Sequence, residues 1–172
     1  DELDTVTIPE GVMSIADGMF RYCYNLHTVT LPDSVTAIEE RAFTGTALTQ
    51  IHIPANVTRI ETDAFSECFA LSAITSDSES YPAIDNVLYE KAANGDYALI
   101  RYPSRREDSA FKIPNGVARI ETHAFDCCSY LASVKMPDSV ASIGTGAFMN
   151  CPALQDIEFS CRITELPESV FA

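Results

Sequence analysis

One pattern recurs along almost the whole chain and constrains its fold more than any other feature. The unit reads L-x-x-V-x-I-P-x-x-V-x-x-I-x-x-x-A-F-x-x-C-x-x and returns after roughly 23 residues. Its copies begin near Leu3, Leu26, Leu48, Leu71, Asp108, Leu131 and Leu154. Because a unit this short cannot bury its apolar side chains alone, successive units must stack and share one core. We therefore predict a single solenoid domain over residues 1–172.

Each unit has two segments with different spacing. In the first segment, up to the proline, apolar and polar residues alternate, which is β-strand spacing. The proline ends the strand because it has no N–H to donate, so each unit contributes one short parallel strand. The later V-x-x-I-x-x-x-A-F segment has helix-like spacing but is too short for a stable helix. We expect turns there with at most one helical or 3₁₀ turn, and an Ala-Phe pair that fills the core opposite the strands.

The fourth unit is interrupted by an insertion. The pattern is lost over about residues 75–107 and resumes at Ile113. Two β-rich runs, 87–91 and 97–102, flank the sequence Ala-Ala-Asn-Gly-Asp. Asn-Gly is the strongest short signal for a hairpin turn. We therefore predict one inserted β-hairpin that protrudes from the array.

The charge balance argues against several classes of partner. Lys and Arg number 11 against 25 Asp and Glu, which gives a net charge of −14. Such a chain repels phosphate backbones and anionic headgroups, so we expect no nucleic-acid partner. No apolar run is long enough to span a bilayer, and no signal peptide is visible. Neither end has a polar capping repeat, so we expect the natural protein to continue beyond at least one end, and uncapped ends can pair end to end.

The consensus, with Ile-Pro after the strand and Ala-Phe-x-x-Cys at its end, closely resembles that of the BspA-like leucine-rich-repeat family of bacterial surface proteins. The resemblance covers nearly the whole chain. Even the insertion is similar to the family's degenerate unit, with Ile-Asp-Asn-Val-Leu-Tyr at 84–89 and Leu-Ile-Arg-Tyr-Pro at 99–103. The resemblance implies a curved, right-handed leucine-rich-repeat solenoid, a cell-surface or secreted location, and adhesion to host or matrix proteins or to other cells. It identifies no ligand.

Outward side chains of successive strands form ladders, and the concave sheet of a curved solenoid is the usual recognition surface. We predict that this face binds an extracellular protein, although each side chain alone is equally consistent with a solvated β-face. The predicted ladder residues are Thr5, Thr7, Thr28, Thr30, Gln50, His52, Lys112, Ser133, Lys135, Asp156 and Glu158.

A rival patch lies in the insertion, where tyrosines and arginines cluster in an otherwise acidic chain. Both residue types are enriched at interface hot spots. The alternative is that the tyrosines pack against neighbouring coils. The residues concerned are Tyr81, Tyr89, Tyr97, Tyr102, Arg101, Arg105 and Arg106.

Four of the six cysteines occupy one repeat position: Cys23, Cys68, Cys128 and Cys151. We expect their side chains to point into the core as small hydrophobic groups. Only Cys128 and Cys151 belong to adjacent regular repeats and are near enough for a disulfide, which their parallel Cβ vectors disfavour.

The remaining reactive side chains form no pattern typical of catalysis. The three histidines fall at different repeat positions, and no Cys/His pair has zinc-site spacing. His123 lies near Cys127 in sequence, but no third residue that would orient such a dyad is identifiable. We therefore predict a non-catalytic binding module without metal or cofactor. The alternative is a passive spacer that presents another domain away from the cell surface.

Overall fold

Short β-strands and turns make up residues 3–171, the residues that this computed structural model describes. No helix occurs within this range. The strands are β1 (Thr5–Thr7), β2 (Ser14–Ile15), β3 (Thr28–Thr30), β4 (Ala37–Ile38), β5 (Gln50–Ile53), β6 (Arg59–Ile60), β7 (Ala73–Ser76), β8 (Ala83–Ile84), β9 (Val87–Lys91), β10 (Tyr97–Arg101), β11 (Ala110–Lys112), β12 (Val117–Ile120), β13 (Ser133–Lys135), β14 (Ser142–Ile143) and β15 (Asp156–Glu158). Together they form a parallel β-solenoid of about 7 turns, as the repeat predicts.

We call each repeat a coil and number the coils one to seven in chain order. Coils one to six each contain a first strand and a second strand, whereas the sequence predicted one strand per coil. The first strands form three parallel sheets, β1-β3, β5-β7 and β11-β13-β15. The second strands before the insertion form the sheet β2-β4-β6. Those of coils four to six form the run β10-β12-β14, in which β10 belongs to the insertion and pairs on its other side with β9. Each coil therefore contributes backbone hydrogen bonds on two sides of the solenoid.

The second strands occupy the segment whose V-x-x-I spacing resembled that of a helix. Ile15, Ile38 and Ile60 lie in register in β2, β4 and β6, and all three are buried. A lone helical turn carries an unfavourable nucleation cost, whereas a two-residue strand gains hydrogen bonds from the neighbouring coils. Stacking between coils, which the spacing within one coil does not show, decides the local structure.

Aromatic side chains of the Ala-Phe pairs stack along the solenoid. The ring centroids of Phe20 and Phe43 are 5.5 Å apart, and those of Phe43 and Phe65 are 5.6 Å apart. Backbone hydrogen bonds accompany the stack, since the N–H of Phe43 donates to the carbonyl of Ala64 at 2.9 Å. The tight turn before each pair needs a left-handed residue two positions before the aromatic ring. The residues with positive φ at this position are Gly18, Arg41, Asp63, His123, Gly146 and Ser169.

The insertion forms the predicted hairpin, but the hairpin does not protrude as a separate element. Strands β9 and β10 pair antiparallel, β8 pairs with β9, and β10 continues the second-strand sheet by pairing in parallel with β12. Leu99 is thereby in register with Ile120. The turn at 93–96 is exposed, whereas most residues of β9 and β10 are buried. Strand β10 lies inside the array because it supplies the backbone hydrogen bonds that β12 would otherwise lack.

The hydrophobic core divides at the insertion. One cluster of buried side chains runs from Ile8 to Leu88, and the second runs from Val87 to Val170. Val87 and Leu88 are neighbours in β9, so their side chains point to opposite faces of that strand and join different clusters. The insertion therefore connects two stretches of regular solenoid.

Candidate binding surface

The outward side chains of the first strands form two mostly polar rows, one on β1, β3, β5 and β7 and one on β11, β13 and β15, with the insertion between them. Along each strand the inward residue is apolar, as Val29 and Ile51 are, and its neighbours point outward because side chains alternate in a strand. We call the outward residues the ladder face. They are Thr5, Thr7, Thr28, Thr30, Gln50, His52, Ala73, Thr75, Ala110, Lys112, Ser133, Lys135, Asp156 and Glu158. All are exposed except Ala73 and Ser133, which are half-buried. The ladder predicted from the sequence did not include Ala73, Thr75 and Ala110.

Strand pairing fixes the register of the ladder face. Thr5 lies opposite Thr28, and Thr7 lies opposite Thr30. In the last sheet Lys112, Lys135 and Glu158 form one column. Within each first-strand sheet, corresponding positions of neighbouring coils therefore present side chains at the strand spacing of about 4.8 Å.

The chemistry of the ladder face changes along the solenoid. Its amino-terminal end carries threonine hydroxyls. In the middle, His52 Nδ1 lies 3.0 Å from Thr75 Oγ1, and His52 Nε2 lies 3.3 Å from a carboxylate oxygen of Asp77. At the carboxy-terminal end, Lys135 donates to both carboxylate oxygens of Glu158 at 2.6 Å. The face thus offers a hydroxyl-rich end and a charged end to a partner.

The rival patch of tyrosines and arginines is largely buried. Tyr89 is 1% exposed and Arg101 is 3% exposed, so neither side chain is available to a protein partner. Tyr97 is half-buried, and its ring packs edge-on against Tyr89 at 6.2 Å. Because β10 is built into the solenoid, the hairpin side chains pack against neighbouring coils, which was the alternative interpretation. Tyr89 and Arg101 are therefore removed from the predicted surface.

Arg101 is a buried cation at a position where regular coils place alanine. The N–H of the following residue, Tyr102, donates to the carbonyl of Ala124 at 2.8 Å, which is the bond that Phe43 makes to Ala64. Tyr102 therefore occupies the aromatic position, and Arg101 occupies the alanine position. Sequence reasoning placed Arg101 on the surface because it treated the insertion as a separate element.

Three hydrogen-bond acceptors surround the Arg101 guanidinium. One terminal nitrogen donates to the carbonyl of His123 at 2.7 Å. The other donates to Ser104 Oγ at 2.6 Å and to the carbonyl of Asp126 at 3.2 Å. Nε is buried without a hydrogen-bond partner. The cation thus ties coil four to the turn of coil five.

The turn of coil four is two residues shorter than a regular turn. Leu99 is in register with Ile120, but two residues separate Leu99 from Tyr102, whereas four separate Ile120 from Phe125. The missing residues would lie between Asp63 of coil three and His123 of coil five. In their absence, His123 Nδ1 reaches a carboxylate oxygen of Asp63 at 2.7 Å, across 60 positions of sequence.

The contact between Asp63 and His123 shifts the pKa of both groups. The hydrogen bond with Asp63 raises the pKa of His123, and the negative charge of Asp63 adds to this effect, against the opposing effect of burial. Burial alone would raise the pKa of Asp63, but the hydrogen bond and charge of His123 lower it overall. Both shifts favour the ion pair, so the contact is strongest when His123 is protonated.

The cysteines of the repeat position act as hydrogen-bond donors as well as core groups. Cys68 Sγ donates to the carbonyl of Phe43 at 3.2 Å, and Cys151 Sγ donates to that of Phe125 at 3.0 Å. In coil two Thr46 takes the position and donates to Phe43 at 2.9 Å. All six cysteines are free thiols in this structure.

Burial governs the reactivity of the thiols near His123. It raises the pKa of Cys127 to about 12, with a further contribution from Asp126. It also raises the pKa of Cys128. Since the thiolate is the nucleophile, both groups are protonated and weakly reactive at neutral pH.

No group of three or more His, Cys, Asp or Glu side chains is arranged to hold a metal ion within residues 3–171. No helix there is long and apolar enough to cross a membrane.

Stacked coils with parallel strands, a buried leucine at the start of coils two, three, four and six and an outward, mostly polar ladder define a leucine-rich-repeat protein. The sequence matches the family model of the BspA type leucine rich repeat region in 6 copies, over residues 1–93 and 106–172. The chain belongs to this family. The unmatched residues 94–105 contain strand β10 and the short turn of coil four.

Solved structures show the same solenoid. The chain is 91% identical to a leucine rich cell surface protein from Faecalibacterium prausnitzii, with a TM-score of 0.97 over 99% of this chain and 45% of that one. The pneumococcal vaccine antigen PcpA shares the fold at 24% identity, with a TM-score of 0.88 over 94% of this chain and 40% of that one. The chain therefore spans less than half the length of either protein. No protein of curated function matches it significantly.

Proposed function

We propose that the chain is a non-catalytic, cell-surface or secreted module that binds an extracellular protein through its ladder face. The observation that carries this proposal is the register within the first-strand sheets, which aligns the outward, mostly polar side chains of neighbouring coils in columns. Repeat folds of this kind typically act as binding scaffolds rather than enzymes. A host or matrix protein is the class of partner that we favour, with adhesion as the consequence.

The dimensions of the ladder face suit a protein partner. The four first strands before the insertion span roughly 14 Å at about 4.8 Å per strand, and the three after it span roughly 10 Å. A standard interface buries about 800 Å² on each partner, so a protein partner must contact both rows or adjoining turns as well. Charged and hydroxyl side chains in fixed register provide hydrogen bonds and orientation, so the proposed specificity comes from the order of residues along the columns.

The proposed location rests on similarity. The Faecalibacterium chain of 91% identity is described as a cell surface protein. The net charge of −14 also favours solubility outside the cell and disfavours nucleic acid and anionic lipid as partners.

Binding to immobilised host-surface and matrix proteins tests the proposal. The ladder variant carries Gln50→Ala, His52→Ala, Lys112→Ala and Lys135→Ala. The control variant carries Ser14→Ala, Asn56→Ala, Arg59→Ala and Ser142→Ala, four exposed positions away from the ladder face. We expect saturable binding by the wild type and the control, and at least about tenfold weaker binding by the ladder variant. Equal binding by both variants would contradict the proposal.

A passive spacer is the second candidate function. The cross-coil pairs on the ladder face favour it, because Lys135 with Glu158 and His52 with Thr75 satisfy one another without a partner. A spacer predicts that no protein of the panel binds and that deletion of the chain impairs only the reach of an adjoining domain. Saturable binding by the isolated chain excludes a purely passive role.

A further inference from the structure

Two cysteines lie beside each other in coils five and six. Cys128 and Cys151 hold the same position of successive repeats, three residues after the core phenylalanine. The two coils are joined directly before this position, where the N–H of Cys127 donates to the carbonyl of Met149 at 2.9 Å. Neighbouring coils are about 4.8 Å apart, which lies within the Cα–Cα range of about 4.4–6.8 Å that a disulfide spans. Among residues 3–171, no other two adjacent coils both have cysteine at this position.

Side chains at this position contact each other across coils. In coils two and three the position is taken by Thr46 and Cys68, and Thr46 Oγ1 lies 3.4 Å from Cys68 Sγ. Cys68 Sγ also donates to a backbone carbonyl of coil two at 3.2 Å, and Cys151 Sγ donates to the equivalent carbonyl of coil five at 3.0 Å. The sulfur of Cys151 is therefore directed toward coil five, where its thiol is hydrogen-bonded to that of Cys128. This orientation offsets the parallel Cβ vectors that the repeat predicts. A sulfur–sulfur bond of about 2.05 Å then requires rotation of the two side chains.

The two thiols differ in acidity and in exposure. The hydrogen bond with Cys128 lowers the pKa of Cys151, against the opposing effect of burial. Burial raises the pKa of Cys128, and the hydrogen bond with Cys151 adds to this effect. Cys151 is half-buried, whereas Cys128 is 1% exposed. Because the thiolate is the attacking species in thiol–disulfide exchange, Cys151 is the thiol that meets a reagent from solvent, and Cys128 is the thiol that reacts second.

We propose that Cys128 and Cys151 form a reversible disulfide by exchange with small soluble disulfides, which cross-links coil five to coil six. The Cys151 thiolate attacks one sulfur of the reagent, so that a new S–S bond forms, the S–S bond of the reagent breaks and one small thiol leaves. Cys128 then loses its proton and attacks Cys151 Sγ, which releases the second small thiol. In total, two protein thiols are oxidised to one disulfide and one small disulfide is reduced to two thiols. The site includes no residue of the ladder face.

Oxidised glutathione tests the proposal on the complete folded chain, with Cys161→Ser in every sample to remove the exposed thiol. After acid quenching and alkylation, mass spectrometry should show the loss of two hydrogen atoms and one linked pair of peptides that contains Cys128 and Cys151. Cys128→Thr should instead retain one glutathione on Cys151, and Cys151→Thr should retain none on Cys128. Threonine suits both positions, because Thr46 occupies the equivalent position in coil two.

Cys23→Thr is the matched control, because Cys23 holds the same repeat position, is half-buried and is followed in the next coil by Thr46 rather than by a cysteine. This variant should form the bridge as fully as the unsubstituted protein does. The bridge closes a loop of about 20 residues, so the oxidised protein should melt about 5–10 °C above the same protein kept in dithiothreitol. The difference should vanish on reduction and should be absent in Cys128→Thr.

The linked peptides, the glutathione adduct on Cys151 in Cys128→Thr and a reversible rise in melting temperature together support the proposal. A folded protein that forms no link, or that forms it only in urea, overturns it. A link between Cys151 and Cys127 overturns it as well, and so does a bridge that leaves the melting temperature unchanged. None of these results alters the test of the ladder face.

Discussion

Regular coils and the fourth coil differ in the buried residue that precedes the core aromatic side chain, which is an alanine in most regular coils and an arginine in the fourth coil. In regular coils a buried alanine, such as Ala42 or Ala64, precedes the aromatic residue and lets the rings of adjacent coils stack. The fourth coil places Arg101 there, keeps an aromatic residue at Tyr102, and replaces backbone contacts with hydrogen bonds from a guanidinium. The irregularity also reaches the first-strand side, because the insertion separates β7 from β11. The comparison shows that the array keeps its aromatic position through the fourth coil while the strand pairing on the ladder face is interrupted.

The stacked aromatic rings also differ between the regular coils and the fourth coil. Phe20, Phe43 and Phe65 form one run, and Tyr102 begins a second run that continues through Phe125 at 5.2 Å. The short turn of coil four lies between the two runs. Stability within each run depends on apolar packing. At the polar junction, where Arg101 joins coil four to coil five, stability depends on hydrogen bonds.

The largest expected effect is in the middle of the first run. Phe43 is fully buried and stacks on both sides, so Phe43→Ala should lower the free energy of unfolding by about 4 kcal/mol. Phe171→Ala is the control, since Phe171 is 52% exposed and stacks only on Phe148, and it should cost about 1 kcal/mol. Urea unfolding measures both. Equal losses would show that the stack is not the source of stability.

The next effect tests the polar junction. Arg101→Met fills a similar volume but removes the three guanidinium hydrogen bonds, so that the carbonyl of His123 keeps only the N–H of Asp126 and the carbonyl of Asp126 keeps only Ser104 Oγ. Relief of the buried charge offsets part of this loss, and we expect a net cost of about 2 kcal/mol by urea unfolding. Arg59→Met removes a half-exposed ion pair and should cost less than about 1 kcal/mol. An Arg101 variant as stable as wild type would mean that the guanidinium does not hold the junction.

A smaller effect depends on pH. The pKa of His123 is raised above 6.5, so its pairing with Asp63 stabilises the fold fully below that value and is lost as pH rises through the raised pKa. The free energy of unfolding should therefore fall by about 1 kcal/mol between about pH 6 and pH 8. His123→Gln should remove this dependence, and His27→Gln, at an exposed site, should retain it. A wild-type profile that rises over this interval would refute the assignment.

The ion pair between Asp63 and His123 is also lost at low pH, when Asp63 becomes protonated. The pKa of Asp63 is lowered below 3.8, so its contribution is present above that value and is lost as pH falls through the lowered pKa. Asp63→Asn should remove this acid-sensitive component from urea titrations. It should remove the component near neutral pH as well, because the two groups form one pair.

The smallest effect is expected on the ladder face. Lys135→Ala breaks an exposed pair with Glu158 and should change the free energy of unfolding by less than about 0.5 kcal/mol. Thermal and urea unfolding check this directly. A larger loss would mean that any binding defect of the ladder variant reflects damage to the fold.

Much of the solenoid was predictable from the repeat. The period of the apolar residues determined the stacking, and the alternation before each proline placed Thr28 and Thr30 on one face. Both predictions are confirmed in the positions of the strands. That a protein binds this face stays a prediction.

The details of the fourth coil were not predictable from local patterns. The Asn-Gly signal indicated a hairpin but not its neighbours, because the pairing of β10 with β12 joins residues far apart in sequence. The burial of Arg101 follows from that pairing. A signal was present, since Leu-Ile-Arg-Tyr at 99–102 resembles the end of a regular turn shortened by two residues. The second strands were missed because most of them are only two residues long and their V-x-x-I spacing resembles that of a helix.

The cysteine position has a consequence for experiments on living cells. Its thiols are held against backbone carbonyls in the interior, as Cys68 is, and threonine substitutes for cysteine at Thr46. Cys161 lies off this position and is the one cysteine with an exposed side chain. A maleimide dye should therefore label the folded protein mainly at Cys161, near its carboxy-terminal coil. This natural thiol therefore allows the position of the carboxy-terminal end of the molecule to be imaged without any substitution.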